Sequence, residues 1–279
     1  LNWGSLVHFI PALGFDAAYG GTDICGTEAP RTWLGVYDHI FLAEAARRIR
    51  AEGDAEPSFH FLYTTSNHGP FLIPFEECGF DAARLNPEMA AALKKNSKKY
   101  RGLGCAWYGD FALGRFINEM REAFPDSLFI VTGDHAGGEN PIIEGLSARQ
   151  ELLLRERILP SFSIHHPALT AEHLTHNTIG GHMNILPTLI ELIAPEGFPY
   201  YAIEKPLTEP IERVVTPYAW ITREELGFYR ERAAQELTVT TDTLPWLYDT
   251  ERYAAERDAY CELTAYYVRH PELLMKSLR

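Results

Sequence analysis

The residues best suited to chemistry in this sequence stand directly after a short apolar run, in the stretch Phe-Ile-Val-Thr-Gly-Asp-His-Ala-Gly-Gly at 129–138. Asp134 offers a carboxylate oxygen and His135 an imidazole nitrogen, and such donors suit Mn²⁺, Zn²⁺ or Mg²⁺ better than a soft ion. Adjacent side chains on a regular strand point to opposite faces, so both can reach one ion only where the chain leaves the extended form. Gly137 and Gly138 permit that turn. The pattern predicts a metal site at the end of a buried strand, with an ordinary surface turn as the alternative.

A catalytic metal site needs about three protein donors, so Asp134 and His135 would require a further ligand from elsewhere in the chain. His182, in the stretch Gly-Gly-His-Met-Asn at 180–184, is a candidate third group, although a histidine beside a helix cap explains the same pattern equally well. Glu139 and Asn140 are close enough in sequence to hydrogen-bond the metal ligands.

The sequence holds a second polar loop, Asn-His-Gly-Pro at 67–70, which follows an apolar and aromatic run at 58–64. A lone histidine in a loop is more often a surface residue. The end of a predicted strand is nevertheless where the ligand sites of open sheets lie, which favours a functional His68. Its expected role is to donate a hydrogen bond to an anionic oxygen or a proton to a leaving group.

The elements that must position these residues are predicted to form a strand, helix, strand unit. The runs at 58–64 and 128–131 are nearly continuous in apolar character, which is typical of strands covered on both faces in a parallel sheet. Apolar residues recur between them at helical spacing, so a crossover helix is predicted at 107–124. Because ligands bind beyond the carboxyl ends of such strands, we expect His68 and Asp134 at one rim of the sheet.

The rest of the chain is predicted to continue an α/β core over residues 1–205 and then to form a mainly helical appendage at 206–279. Around Pro206 the composition shifts toward Glu, Arg and Tyr. Asn184 is a plausible cap for the helix that follows it, with Pro187 in the first turn, where no amide is needed. Further helices are predicted at 41–50, 185–193, 223–237 and 250–268, and a further strand at 158–164.

Composition and charge argue against several classes of protein. With 279 residues, 46% of them hydrophobic, the chain can bury a full core, and its formal charge of −13 argues against nucleic acid or an anionic membrane surface as the main partner. It holds no apolar run near the roughly 18 residues that a membrane span needs. The first residue is Leu1, so we expect any anchor or export signal to precede it. Four cysteines follow no metal-binding spacing, and their number leaves their pairing open.

Four motifs stand in an order that is similar to that of a known family. They are Thr-Ser-Asn-His-Gly-Pro-Phe at 65–71, Tyr-Gly-Asp-Phe-Ala-Leu-Gly-Arg-Phe-Ile at 108–117, Val-Thr-Gly-Asp-His-Ala-Gly at 131–137 and Pro-Thr-Leu-Ile-Glu-Leu at 187–192. Together with the segments 13–16 and 33–38, they resemble the sulfatase-like branch of the alkaline phosphatase superfamily, nearest the lipoteichoic acid synthase and phosphoglycerol transferase group. The resemblance covers about residues 1–200, and four ordered motifs are more specific than any one of them.

The resemblance implies an α/β fold with a mainly parallel sheet sandwiched by helices, and it implies roles for particular residues. Asp134 and His135 would bind one divalent metal ion, most often manganese, and His68 would be the catalytic group that contacts the substrate. Trp3 stands where the group has an aromatic residue beside the glycerol phosphate. His182 replaces a neutral polar residue, which leaves open a second metal, a different acceptor or a contact with the substrate.

The nucleophilic threonine of that group, and a further acidic metal ligand, belong to a segment that would precede Leu1. The chain is therefore expected to be a C-terminal portion of an extracytoplasmic catalytic domain, anchored in the membrane by upstream segments, and to be inactive by itself. The whole enzyme would form a covalent intermediate on a threonine or serine hydroxyl and pass it to water or to an acceptor alcohol.

The sequence thus favours part of a metal-dependent phosphoglycerol transferase or sulfatase-type hydrolase, acting on a phosphate or sulfate ester such as a phospholipid head group or a cell-envelope glycan. One alternative is a complete, soluble metallo-phosphodiesterase that uses Thr65 or a metal-bound water. Another is a non-catalytic binding domain on the same fold. The head group, the acceptor, the choice between sulfate and phosphate and the oligomeric state stay open.

Overall fold

The computed structural model describes residues 10–11, 13–53, 56–93, 95, 97–135, 160–174, 179–229 and 246–270. These residues form two compact units. The first unit contains the described residues from Ala18 to Pro167, and the second contains the described residues before Ala18 and those from Ala168 onward. The domain boundary predicted between 205 and 206 from the composition stays a prediction.

Helices and strands occur in both units. In the first unit they are α1 (Gly21–Cys25), α2 (Asp38–Glu52), α3 (Pro87–Ala92), α4 (Lys98–Ala123), β1 (Phe129–Thr132) and β2 (Phe162–His165). In the second unit they are α5 (Ile185–Ile193), β3 (Arg213–Val215), β4 (Ala219–Thr222), β5 (Leu226–Phe228), β6 (Trp246–Tyr248) and α6 (Ala254–Arg269). Among the described residues, no helix combines the length and the apolar character needed to cross a membrane.

The long helix α4 forms one wall of the core of the first unit. Ser97 caps its start, since the Ser97 Oγ accepts a hydrogen bond from the amide of Tyr100 at 3.1 Å. Tyr100, Cys105 and Tyr108 are buried on one face at helical spacing. Apolar side chains from the chain before the helix pack against that face: Ile73, Phe75, Phe80 and Leu93. The helix predicted at 107–124 is therefore confirmed, but it begins earlier, at Lys98.

The predicted α/β class is confirmed in its coarse form, because helices and sheets both contribute to the described chain. The predicted mainly parallel sheet is not what these residues form. Strand β1 pairs with β2 in antiparallel register, with Phe129 opposite His165 and Thr132 opposite Phe162. No residue of either strand is fully buried. A continuous apolar run predicts that both faces of a strand are buried. In β1, the side chains of Phe129, Ile130 and Val131 are only partly buried and Thr132 is exposed.

The apolar run at 58–64 also differs from its prediction. It is not assigned as a strand, and its aromatic side chains Phe59, Phe61 and Tyr63 are 58%, 70% and 42% exposed. A strand is defined by backbone hydrogen bonds to a neighbour, and within the described residues the run has no such ladder. Its apolar character alone could not reveal this, because periodicity reports on side chains and not on the presence of a partner strand.

The sheet of the second unit has the order β3-β4-β5-β6. Neighbours are antiparallel except β5 and β6, which are parallel. Val215 of β3, Trp220 of β4 and Tyr229, the residue after β5, form a buried cluster, and Tyr253 and Tyr260 pack against that cluster. Tyr260 belongs to α6, so this helix is attached to the sheet through its aromatic side.

Two predicted helices of the C-terminal region have different outcomes. The helix predicted at 250–268 is confirmed as α6. The segment predicted as a helix at 223–237 contains strand β5 instead, because β4 and β6 on either side supply backbone partners to Leu226–Phe228. The rest of that prediction, from residue 230 onward, lies outside the described residues. The described part of 206–279 thus contains a four-stranded sheet as well as α6.

Helix α5 is confirmed with the predicted bounds, and Asn184 is its N-cap residue, but the Asn184 side chain makes no capping hydrogen bond. The Asn184 side chain is buried; its Oδ1 accepts from the amide of Gly181 at 2.7 Å and its Nδ2 donates to the carbonyl of Lys205 at 2.8 Å. Thr188 donates from its hydroxyl to the carbonyl of Asn184 at 2.6 Å and accepts from the amide of Leu207 at 2.7 Å. Asn184 therefore joins the turn before α5 to a later loop.

The cysteine pairing that the sequence left open is resolved, since all four cysteines are free thiols. Cys105 is fully buried in α4, and burial raises the pKa of its thiol to about 11. It therefore behaves as an apolar core residue at neutral pH.

Replacing Gly104 in α4 by alanine is expected to destabilise the protein. A Cβ at this position would overlap the ring of Phe75 in the core, whereas a Cβ at Gly114 of the same helix would meet no atom within 4 Å. We expect Gly104→Ala to lower the free energy of unfolding by about 1–3 kcal/mol. Gly114→Ala, the matched control, should raise it by about 0.5–1 kcal/mol. Chemical denaturation measures both, and equal effects would contradict the packing described for Phe75.

Candidate functional site

The loop that carries His68 is fixed to the start of α2 by the side chain of Asp38. This carboxylate is only 2% exposed. Its Oδ1 accepts from the amide of Thr65 at 3.0 Å and its Oδ2 from the amide of Ser66 at 3.2 Å. In return, the Ser66 Oγ accepts from the amide of Asp38 at 3.2 Å. Three hydrogen bonds thus join the loop to the first turn of a helix.

Helix α4 contributes Tyr108, which contacts His39, the residue after Asp38. The phenol oxygen accepts from the amide of His39 at 3.0 Å and lies 2.7 Å from the His39 Nδ1. Burial raises the pKa of Tyr108, so the hydroxyl stays protonated. Burial also raises the pKa of Asp38, and this effect outweighs the opposing hydrogen bonds from Thr65 and Ser66. The pKa of His39 is lowered, first by burial and then by the charge of Arg115.

His68 is exposed, yet its ring is held from two sides. The Nδ1 lies 2.7 Å from the carbonyl oxygen of Gly69, and the indole Nε1 of Trp33 donates to that same oxygen at 3.4 Å. The rings of Trp33 and His68 meet edge to face, with 5.3 Å between their centroids. Because a carbonyl can only accept, the Nδ1 must carry the proton. The Nε2 is then the nitrogen that can bond a ligand.

Asn67, the residue before His68, lies against α4 at Gly109. A Cβ on Gly109 would stand 2.9 Å from the Nδ2 of Asn67, so the bare glycine leaves room for the amide. The motifs at 33–38, 65–71 and 108–117 therefore meet at this loop: Trp33 and Asp38 come from the first, Ser66 and His68 from the second, and Tyr108 from the third.

Asp134 and His135 follow β1, and the structure places their donor atoms side by side. The His135 Nε2 lies 3.6 Å from the Asp134 Oδ2, and the His135 amide donates to the Asp134 Oδ1 at 2.9 Å. The side chain of His135 is 74% exposed, and that of Asp134 is 56% exposed. Two donors that are each about 2.1 Å from one ion at tetrahedral angles lie about 3.4 Å apart. The pair therefore fits two coordination positions of a divalent metal.

Tyr63 is the functional candidate that sequence reasoning missed. Its hydroxyl donates to the Asp134 Oδ2 at 3.1 Å. Partial burial, followed by the negative charge of Asp134, raises the pKa of Tyr63, so the phenol remains a donor at neutral pH. The sequence offered only its place in the apolar run at 58–64, where a tyrosine indicates packing as readily as hydrogen bonding. Tyr63 brings the segment that leads to His68 into contact with Asp134.

Trp3, Glu139 and Asn140 lie outside the described residues. His182 begins a short 3₁₀ turn at His182–Asn184 in the second unit, and its role at the site stays a prediction. Within the described ranges, no group of three or more His, Cys, Asp or Glu side chains is close enough to hold a metal ion.

A comparison with known protein families gives a match over most of the chain. The family model described as Sulfatase matches residues 1–194, which is more than half of the chain. The matched range contains Asp38, Tyr63, His68, Asp134 and His135. No solved structure matches the chain.

The raised pKa of Asp38 predicts a specific pH dependence of stability. The folded protein binds this proton more tightly than the unfolded chain, so the resulting stability is fully present below the ordinary carboxyl pKa of about 4 and is lost as the pH rises through the raised value. We expect the free energy of unfolding of the wild type, minus that of Asp38→Asn, to fall across this window. Denaturant titrations at a series of pH values measure the difference. A difference that increases with pH would contradict the assignment.

The contact between His68 and the Gly69 carbonyl predicts the tautomer of the neutral ring. Long-range ¹H–¹⁵N NMR spectra of ¹⁵N-histidine-labelled protein should show His68 protonated at Nδ1 and unprotonated at Nε2. The signal is assigned by its disappearance in His68→Gln. An Nε2-protonated ring would show that this contact is not a hydrogen bond from His68.

Proposed function

This chain belongs to the sulfatase family, and from that premise we propose that it acts on phosphate or sulfate esters with the help of a divalent metal ion held by Asp134 and His135. Membership of the family indicates a sulfatase-type hydrolase or a related enzyme of the alkaline phosphatase superfamily, whose members are generally dependent on divalent metals. The observation that carries the metal assignment is the 3.6 Å separation of the Asp134 Oδ2 and the His135 Nε2.

The donor set suits a hard or borderline ion. A carboxylate oxygen and an imidazole nitrogen are compatible with Mn²⁺, which we propose, and also with Mg²⁺ or Zn²⁺. Such an ion acts as a Lewis acid, stabilising charge on a tetrahedral phosphorus or sulfur centre and lowering the pKa of a bound hydroxyl. Asp134 would supply the negative charge at this position, and His135 a neutral donor.

His68 is proposed as the group that contacts the ester. Its Nδ1 is bonded to the Gly69 carbonyl, so the Nε2 can donate to an anionic oxygen when the ring is charged or accept a proton when it is neutral. The indole of Trp33 packs against this ring with the two planes nearly perpendicular. The hydroxyl nucleophile that would form a covalent intermediate is not assigned to any described residue.

A narrower proposal concerns the substrate and its location. The order of the four sequence motifs supports phosphoglycerol transfer, with a phospholipid head group or a cell-envelope glycan as substrate or acceptor, outside the cytoplasm and close to a membrane. Trp3 and His182 would then contact the substrate. The net charge of −13 supports the view that a local cation, and not the overall field of the protein, attracts an anionic ester.

The metal assignment is tested by titrating the protein with Mn²⁺ and following the free ion by EPR. We expect saturable binding by the wild type and a loss of at least about tenfold in affinity in Asp134→Ala, because one of the two donors is removed. Asp126→Ala, which removes an exposed carboxylate before β1, is the matched control and should bind as the wild type does. Unchanged affinity in Asp134→Ala would contradict the assignment.

Substrate preference is tested separately with p-nitrophenyl phosphate, p-nitrophenyl sulfate and a labelled phosphatidylglycerol. Any turnover, even if slow, is expected to require Mn²⁺, to be abolished in Asp134→Ala and to fall by about 10²–10⁴-fold in His68→Gln. Transfer or release of glycerol phosphate supports the narrower proposal, whereas turnover of the sulfate ester alone contradicts it. Turnover without a metal ion would contradict the general proposal of a metal-dependent enzyme.

A further inference from the structure

The carboxylate of Asp134 is held by more than its own loop. A terminal carboxylate on an exposed side chain has a broad torsional range, so its two oxygens do not keep a fixed direction by themselves. Here the His135 amide donates to Oδ1 at 2.9 Å, and the Tyr63 hydroxyl donates to Oδ2 at 3.1 Å. With one donor on each oxygen, the plane of the carboxylate is defined.

The Tyr63 hydroxyl hydrogen-bonds Asp134 Oδ2, which is the carboxylate oxygen proposed to bind the metal. Asp134 Oδ2 is the atom that lies 3.6 Å from the His135 Nε2, and each carboxylate oxygen has two lone pairs. Tyr63 can therefore use one lone pair while the other stays available to an ion. A hydroxyl in this position bonds the oxygen that lies nearest the imidazole without being a metal ligand itself.

Tyr63 also has a defined position, although it is 42% exposed. The amides of Thr65 and Ser66, a few residues further along the chain, are fixed to the buried carboxylate of Asp38. The hydroxyl of Tyr63 therefore reaches Asp134 from a backbone that is anchored to helix α2. The same backbone continues to His68.

We infer that Tyr63 is a positioning residue, which aligns the Asp134 carboxylate for a divalent metal and ties it to the segment that carries His68. The inference rests on the proposed function, because it takes Asp134 and His135 as metal ligands. Partners that hydrogen-bond a metal-binding carboxylate commonly change the metal affinity by about 10–100-fold when they are removed.

The test compares Tyr63→Phe with Tyr19→Phe in the Mn²⁺ titration. Tyr19 is also exposed and keeps its ring contact with Arg48 when the hydroxyl is deleted, so it is a matched control for the loss of a phenol. We expect Tyr63→Phe to bind Mn²⁺ about 10–100-fold more weakly than the wild type, with an unchanged Tm, and Tyr19→Phe to bind normally. The EPR line shape of the bound ion should also change in Tyr63→Phe, which a merely structural role would leave unaltered.

Running Asp134→Ala beside these variants separates the possible failures. If Asp134→Ala loses Mn²⁺ and Tyr63→Phe keeps the affinity and line shape of the wild type, the role of Tyr63 is overturned and the metal assignment stands. If Asp134→Ala binds as the wild type does, or the wild type itself does not bind, both are overturned. Gly104→Ala serves as an unrelated destabilised variant. If Tyr63→Phe and Gly104→Ala lower the Tm by the same amount and lose Mn²⁺ affinity equally, the role of Tyr63 is also overturned.

Discussion

The arrangement of the first unit depends on a buried carboxylate at the start of a helix. Moving a carboxylate out of water costs several kcal/mol, and hydrogen bonds to a charged group return about 1.5–3 kcal/mol each. The raised pKa of Asp38 indicates that burial is the larger effect, even with Thr65 and Ser66 as donors. A hydrophobic residue could fill this space at lower cost, but it could not hold two backbone amides. We therefore explain Asp38 by the loop that it fixes, more than by the stability that it adds.

The sequence predicted the elements whose signal is local. We expect α4 because its apolar residues repeat at helical spacing, α5 because Asn184 and Pro187 indicate a helix start, α6 because its segment is amphipathic, and β1 because its run is almost continuously apolar. The prediction was wrong where the outcome depended on a neighbour. The run at 58–64 has strand composition without a partner ladder in the described residues, and Leu226–Phe228 is a strand because β4 and β6 pair with it. Asn184 stands at the N-cap of α5, but tertiary contacts engage its side chain.

The same distinction between local signals and distant partners applies to the residues of the candidate site. Asp134, His135 and His68 could be chosen from residue type and from their place after apolar runs. Tyr63 and Asp38 could not, because their partners are 71 and 27 residues away in sequence. A tyrosine in an apolar run and an aspartate at the start of a helix each have a common local explanation. Only the folded chain shows that the tyrosine hydrogen-bonds the carboxylate of Asp134 and that the aspartate holds the amides of the loop.

The shared carbonyl of Gly69 has a further consequence for His68. The Nδ1 of the ring remains a donor to this oxygen in both charge states, since protonation occurs at the opposite nitrogen. The imidazole can therefore keep this hydrogen bond, and its edge-to-face contact with the indole of Trp33, whether it is neutral or charged. A polar group that need not turn when charge moves has a small reorganisation energy, which is the physical property that separates a preorganised environment from bulk water.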